Sequence, residues 1–294
     1  HGFPYATAPG VTWPGFAAFS PYYGGAVGYG EAWGPRTPQW KHMPGIADYL
    51  SRTQMVLRTG TPTYDIVFLR QKGWASTGVG PFWVTNTGTL LGWSHSFITA
   101  SLLLRDDVRF ARGRLAPEGP AYKVVVIGPD KMRSREMTID LDAARKVLAM
   151  AKQGLPVVLV VDGTSDWATQ ALPIGRSDQA AVDEVRAIMA ELKGLSTTRQ
   201  VVEAEVGTAL AELGVEPDVR HEYSTVQHVR RTVGDVDLYY LANARHAENR
   251  RLSRVTQDVW LTAADRDAVA LCHWNANVDN AWFWRDADGL LRCG

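Results

Sequence analysis

Glu31 is the only acidic residue before Asp48, and it stands in Tyr29-Gly30-Glu31-Ala32-Trp33-Gly34-Pro35-Arg36. A carboxyl among glycines and rings is desolvated, which raises its pKa and suits it to donating or accepting a proton. A loop carboxylate paired with Arg36 is the other reading of the same residues. Around it, residues 1 to 42 carry Tyr5, Trp13, Tyr22, Tyr23, Tyr29, Trp33 and Trp40 among many Gly and Pro, with neither helical nor strand period. That composition predicts a long ordered loop. Clustered rings with few charges suit a carbohydrate-binding wall, where the CH faces of sugars stack; aromatic packing that merely holds the loop down fits equally. The seven histidines are scattered without metal-ligand spacing. His1 and His95 are the two that adjoin aromatic or Gly-rich loops.

Other chemistries lack their residues. Gly128-Pro129-Asp130 offers no dinucleotide fingerprint, and Asp162-Gly163-Thr164 has no phosphate-loop Lys. Neither a nucleophile elbow nor a Cys at a strand end occurs. No nucleotide cofactor is expected.

The elements that must position these residues centre on Lys123 to Gly163. Val124-Val125-Val126-Ile127 and Val157-Val158-Leu159-Val160-Val161 are continuous apolar runs, joined by a segment with Leu141, Ala144, Leu148 and Ala151 on one helical face. This predicts a βαβ unit in a parallel sheet covered on both faces. Asp65 to Leu69 and a stretch around Phe97-Ile98 should add strands, about four in all. Ile46, Tyr49, Leu50, Thr53 and Leu57 predict a helix that Gly60 ends. Ser177 is placed to cap a helix carrying Ala181, Val185, Ile188 and Leu192, and another helix carries Val206, Ala209, Leu210 and Leu213 before Gly214. After Pro217 short strands follow at 219–223, 226–231, 236–241 and 256–261, with Gly234-Asp235 in a turn.

Composition excludes some partners. Lys plus Arg number 31 and Asp plus Glu 31 in 294 residues, which leaves no electrostatic footprint for nucleic acid. No apolar run reaches the roughly 18 residues of a membrane span. The two cysteines, Cys272 and Cys293, do not fix a redox compartment. The start at His1-Gly2-Phe3-Pro4-Tyr5 reads as mid-domain, so a fragment of a longer protein is expected.

The run Glu31-Ala32-Trp33-Gly34-Pro35-Arg36-Thr37-Pro38-Gln39-Trp40 resembles the E-x-W-x-P-R-x-P-x-W signature of the α-L-rhamnosidase-like proteins of glycoside hydrolase family 106. His1 to Tyr5 resembles the end of the last barrel strand there, and Pro9-Gly10-Val11-Thr12-Trp13-Pro14-Gly15 the loop after it. Asp48 to Gln54 is similar to the final barrel helix, and Asp237 to Asn243 to the opening of a β-sandwich. The resemblance implies an α/β protein in three parts: the end of a (β/α)₈ barrel at 1–60, a flavodoxin-like domain at 61–217 and the start of an antiparallel β-sandwich at 218–294.

It further implies a secreted enzyme that removes terminal α-L-rhamnose with inversion, aided by calcium in the parent protein, none of it assignable to this chain. Glu31 would be one catalytic carboxyl, with its partner upstream. His1, Tyr5, Trp13, Trp33, Arg36 and His95 would contact sugar. The alternative is a non-catalytic carbohydrate-binding or scaffold module. The chain departs from the family at His95, where Tyr is usual, and after Val269. Residues 270 to 294 are therefore expected to pack poorly, as an apolar tail without strand alternation.

Overall fold

The computed structural model describes residues 3–5, 28–30, 38–70, 92–129, 136–220, 226–243, 257–258, 260–261, 268–273, 283–285 and 291–293. The chain forms two compact units, 1–56 and 57–294. In the first, strand β1 (Phe3–Tyr5) pairs antiparallel with β2 (Gly28–Gly30). A 3₁₀ turn at Pro38–His42 leads into helix α1 (Met43–Arg58). Its stripe of Ile46, Tyr49, Thr53 and Leu57 is half-buried, whereas Leu50 points to solvent.

Gly60 ends the helix with φ +67°, and a Cβ there would lie 2.2 Å from the Thr232 carbonyl oxygen. Only glycine meets both demands, a left-handed backbone and a close approach. β3 (Thr61–Thr63) follows; it lies at a sheet edge, where Pro62 costs no ladder hydrogen bond.

The second unit is built on five parallel strands: β4 (Ile66–Arg70), β5 (His95–Thr99), β6 (Val124–Ile127), β7 (Val157–Val161) and β8 (Thr198–Val202). Numbered along the chain, they lie in the spatial order 2-1-3-4-5, and every neighbouring pair is parallel. The sequence yields four of them. β8 was missed because Thr198-Arg199-Gln200 gives this edge strand a polar start that no apolar run announces.

Alternation along the strands builds two cores. Val67, Leu69, Val125, Ile127, Val157 and Leu159 face α2 (Leu141–Lys152) and α3 (Gln179–Lys193). Ile66, Phe68, Val124, Val126, Val158 and Val160 face α4 (Val206–Glu212). Both faces are covered, as continuous apolar strands require. Asp140 caps α2 by accepting from the Ala143 N–H at 2.9 Å. The cap of α3 is Asp178, one residue after the Ser177 read from sequence, and it accepts from the Ala181 N–H.

Leu148 is 8 % exposed within the α2 core. Leu148→Ala should therefore cost about 2 to 5 kcal/mol, read from the urea midpoint of the chain. A cost near zero would mean that α2 is not docked through this face.

A second sheet follows. β9 (Val226–Val233) and β10 (Val236–Asn243) form an antiparallel hairpin around Gly234-Asp235, with β3 added to the outside of β9. β11 (Ala268–His273) pairs parallel to β10 over six residues, from Val236↔Ala268 to Leu241↔His273. Short strands at Phe283–Arg285 and Leu291–Cys293 pair antiparallel. Within the tail expected to pack poorly, 270–273, 283–285 and 291–293 thus have backbone partners in register, while the rest of it lies outside the described residues. The backbone ladder does not need strict apolar alternation when a neighbouring strand supplies donors and acceptors.

Candidate functional site

Among the residues singled out from sequence, His1, Trp13, Glu31, Trp33 and Arg36 lie outside the described residues. Tyr5 closes β1, opposite Gly28. His95 opens β5 in the other unit, and its ring meets Phe68 and Phe97 edge-on at centroid distances of 5.6 and 5.7 Å. Burial, with Arg70 adding to it, pushes the imidazole down to about 4. His95 is therefore neutral at physiological pH and can trade single hydrogen bonds but carries no charge.

Arg70 ends β4 at the carboxyl edge of the sheet, with its guanidinium 4.3 Å from the centre of the Phe97 ring and 5.5 Å from that of Phe68. Open α/β sheets bind ligands at this edge, where the strand order reverses. Here the reversal falls between β4 and β6.

At the opposite edge the amino ends of β4, β5 and β6 converge on a charge cluster that sequence reasoning missed. Asp65 and Lys123 immediately precede β4 and β6, and Asp218 precedes the short strand Val219–Arg220. Lys123 Nζ lies 2.5 Å from Asp65 Oδ1 and 2.6 Å from Asp218 Oδ1. It also donates to the Glu216 carbonyl at 2.7 Å. Asp65 Oδ2 accepts from the Ser94 N–H at 2.8 Å and from Ser94 Oγ at 3.1 Å.

From the hairpin, Arg230 donates to Asp218 Oδ2 and to Asp237 Oδ2, both at 2.9 Å, while Thr232 Oγ1 donates to Asp237 Oδ1. Asp65 and Asp237 are fully buried. The signal in the sequence was an Asp or Lys abutting each apolar run; a charge placed there must be solvated or paired, and the sheet leaves it no water.

The chemistry of this cluster is occupied rather than open. Burial raises Asp65, Asp218 raises it further, and Lys123 and Ser94 recover only part, leaving it at about 6. Burial also acts on Asp218, but Lys123 and Arg230 overcome it and hold that carboxyl below its usual range. With Lys123 and Arg230 against them, these carboxylates do not form a calcium cage. Among the described residues no group of three or more His, Cys, Asp or Glu is arranged to hold a metal ion.

The fold and its charge lock define a doubly covered α/β sheet joined to a mixed β sheet. A family model described as alpha-L-rhamnosidase, glycoside hydrolase family 106, matches residues 24–259, and the chain belongs to this family. The solved structure of a rhamnosidase from Novosphingobium sp. PP1Y is similar, with a TM-score of 0.53 and 20 % identity over 79 % of this chain. The chain spans 21 % of that protein. No curated protein matches it. Among the described residues no helix is long and apolar enough to cross a membrane.

Proposed function

We propose that this chain is part of a secreted, inverting α-L-rhamnosidase. Residues 1–60 would end its catalytic barrel and carry the aromatic substrate loop, 61–217 would form a flavodoxin-like domain, and 218–294 would begin a β-sandwich. The observation that carries this reading is the family match over 24–259, which spans both the Glu31 motif and the parallel sheet. The strand order 2-1-3-4-5 supports the flavodoxin-like assignment.

In this reading Glu31 is one of two carboxyls flanking the scissile bond. Inversion needs the pair roughly 6.5 to 9.5 Å apart, one protonating the leaving oxygen and one activating water on the opposite ring face. The partner carboxyl belongs to a part of the enzyme outside this chain. Tyr5, Trp13 and Trp33 offer rings to sugar CH groups, and His1 and Arg36 offer hydrogen bonds; His95, in the other unit, is by itself a candidate hydrogen-bond partner for a sugar. A neutral His95 suits an uncharged sugar, where a buried cation would go unpaired. Calcium, where the intact protein uses it, is assigned to no residue here.

The test is proton NMR of an aryl α-L-rhamnoside treated with the intact protein. β-L-rhamnose should appear first and mutarotate afterwards; α-L-rhamnose first would overturn inversion, and no hydrolysis would overturn the activity. A second reading, a carbohydrate-binding or scaffold module, is favoured by the 21 % span. Under the leading reading the purified 294-residue chain should not hydrolyse the rhamnoside, since one carboxyl cannot serve both faces of the sugar.

A further inference from the structure

The charge cluster joins two sheets that share little else in sequence. Asp65, Ser94 and Lys123 belong to the amino ends of parallel strands, Asp218 to the connection, and Arg230 and Asp237 to hairpin β9–β10. Among the described residues, Asp65 and Asp218 share the single cation Lys123, and Asp218 and Asp237 share Arg230. We propose that this junction, where two buried carboxylates share one lysine, is a proton-binding lock that holds the hairpin to the parallel sheet most tightly in mild acid.

Other charged and titratable groups around the cluster are accounted for. Arg231 donates to the carbonyls of Thr59 and Gly60, and its charge acts on Tyr64 beside Asp65. Tyr239 is raised by burial, partly countered by Arg230 at 5.9 Å from its ring, so its hydroxyl stays neutral. Tyr64, next to Asp65, is likewise raised by burial, with Arg231 pulling the other way. His228 is buried with its ring 6.5 Å from that of Tyr239. Of the two carboxylates on Lys123, Asp65 is the more deeply buried, and burial and Asp218 push it up to about 6.

The sign follows from linkage. Between the ordinary aspartate range and 6 the folded chain keeps a proton that the unfolded chain has released, so Asp65 stabilises the fold below that window and ceases to do so as pH rises through it. Asp218 is held low, so its contribution is present above the ordinary range and disappears only in stronger acid. Together they place the stability maximum near the ordinary aspartate pKa, at about pH 4, with stability falling from there through pH 6.

The test is a carbon-13 NMR titration of the Asp65 carboxyl in the full chain, beside thermal unfolding of wild type and Asp65→Asn at pH 5.5 and 7.5. The expected midpoint is about 6, a proton affinity about a hundredfold above an ordinary aspartate. Wild type should melt higher at pH 5.5 than at 7.5, and Asp65→Asn should flatten that difference. A midpoint in the ordinary aspartate range would overturn the proposal, as would an unchanged pH slope in Asp65→Asn. The titration uses wild type and decides even where the variant does not fold; Asp218→Asn should lower the midpoint, and an unmoved midpoint would remove Asp218 from the lock.

Discussion

Arg230→Ala is expected to destabilise the chain by about 3 to 5 kcal/mol at neutral pH, because it leaves buried carboxylates without their cation. Arg230 on β9 reaches out of the hairpin to Asp218 and across it to Asp237 on β10, at 2.9 Å each. Its removal takes from buried Asp218 and Asp237 the cation they share. The loss should shrink on acidification, since orphaned carboxylates take up protons and shed their charge. Urea midpoints at pH 5.5 and 7.5 read both effects. The exposed pair Arg105–Asp107 supplies the control: it is solvated and screened, so Arg105→Ala should leave the midpoint unmoved. An Arg230→Ala midpoint equal to wild type would show that apolar packing, and not charge, holds the hairpin.

What could be read from sequence follows what the residues advertise. Val124 to Ile127 and Val157 to Val161 are too apolar to face water, so they had to be buried strands, and the helix between them repeats Leu141, Ala144, Leu148 and Ala151 at the spacing of one face. Gly60 and Gly214 mark helix ends because a left-handed backbone is cheap only for glycine. β8 stayed hidden behind its polar start, and the partners of β11 depend on a parallel pairing that local pattern does not encode.

The charge lock illustrates a different limit. Asp65 and Asp218 are 153 residues apart, and only the fold brings them together. The place of Asp65 at the head of an apolar run was visible; its pairing with Asp218 was not. The candidate sugar contacts were legible as motif residues, and among them the structure gives a side-chain setting to His95 alone.

Glu31→Gln in the intact enzyme is the second large effect. Gln keeps the shape of the side chain and removes its ability to carry a proton, and loss of a general acid or base costs about 10² to 10⁴ in rate. Arg36 supplies the competing account: a Glu31 that only pairs with it would, when changed, lower stability and spare turnover. The central claim therefore rests on one paired measurement, kcat for an aryl α-L-rhamnoside per folded molecule together with the unfolding midpoint, for wild type and Glu31→Gln. The account predicts kcat lower by about 10² to 10⁴ with the midpoint nearly unchanged. Unchanged turnover with a lowered midpoint would contradict it and leave Glu31 as a structural partner of Arg36.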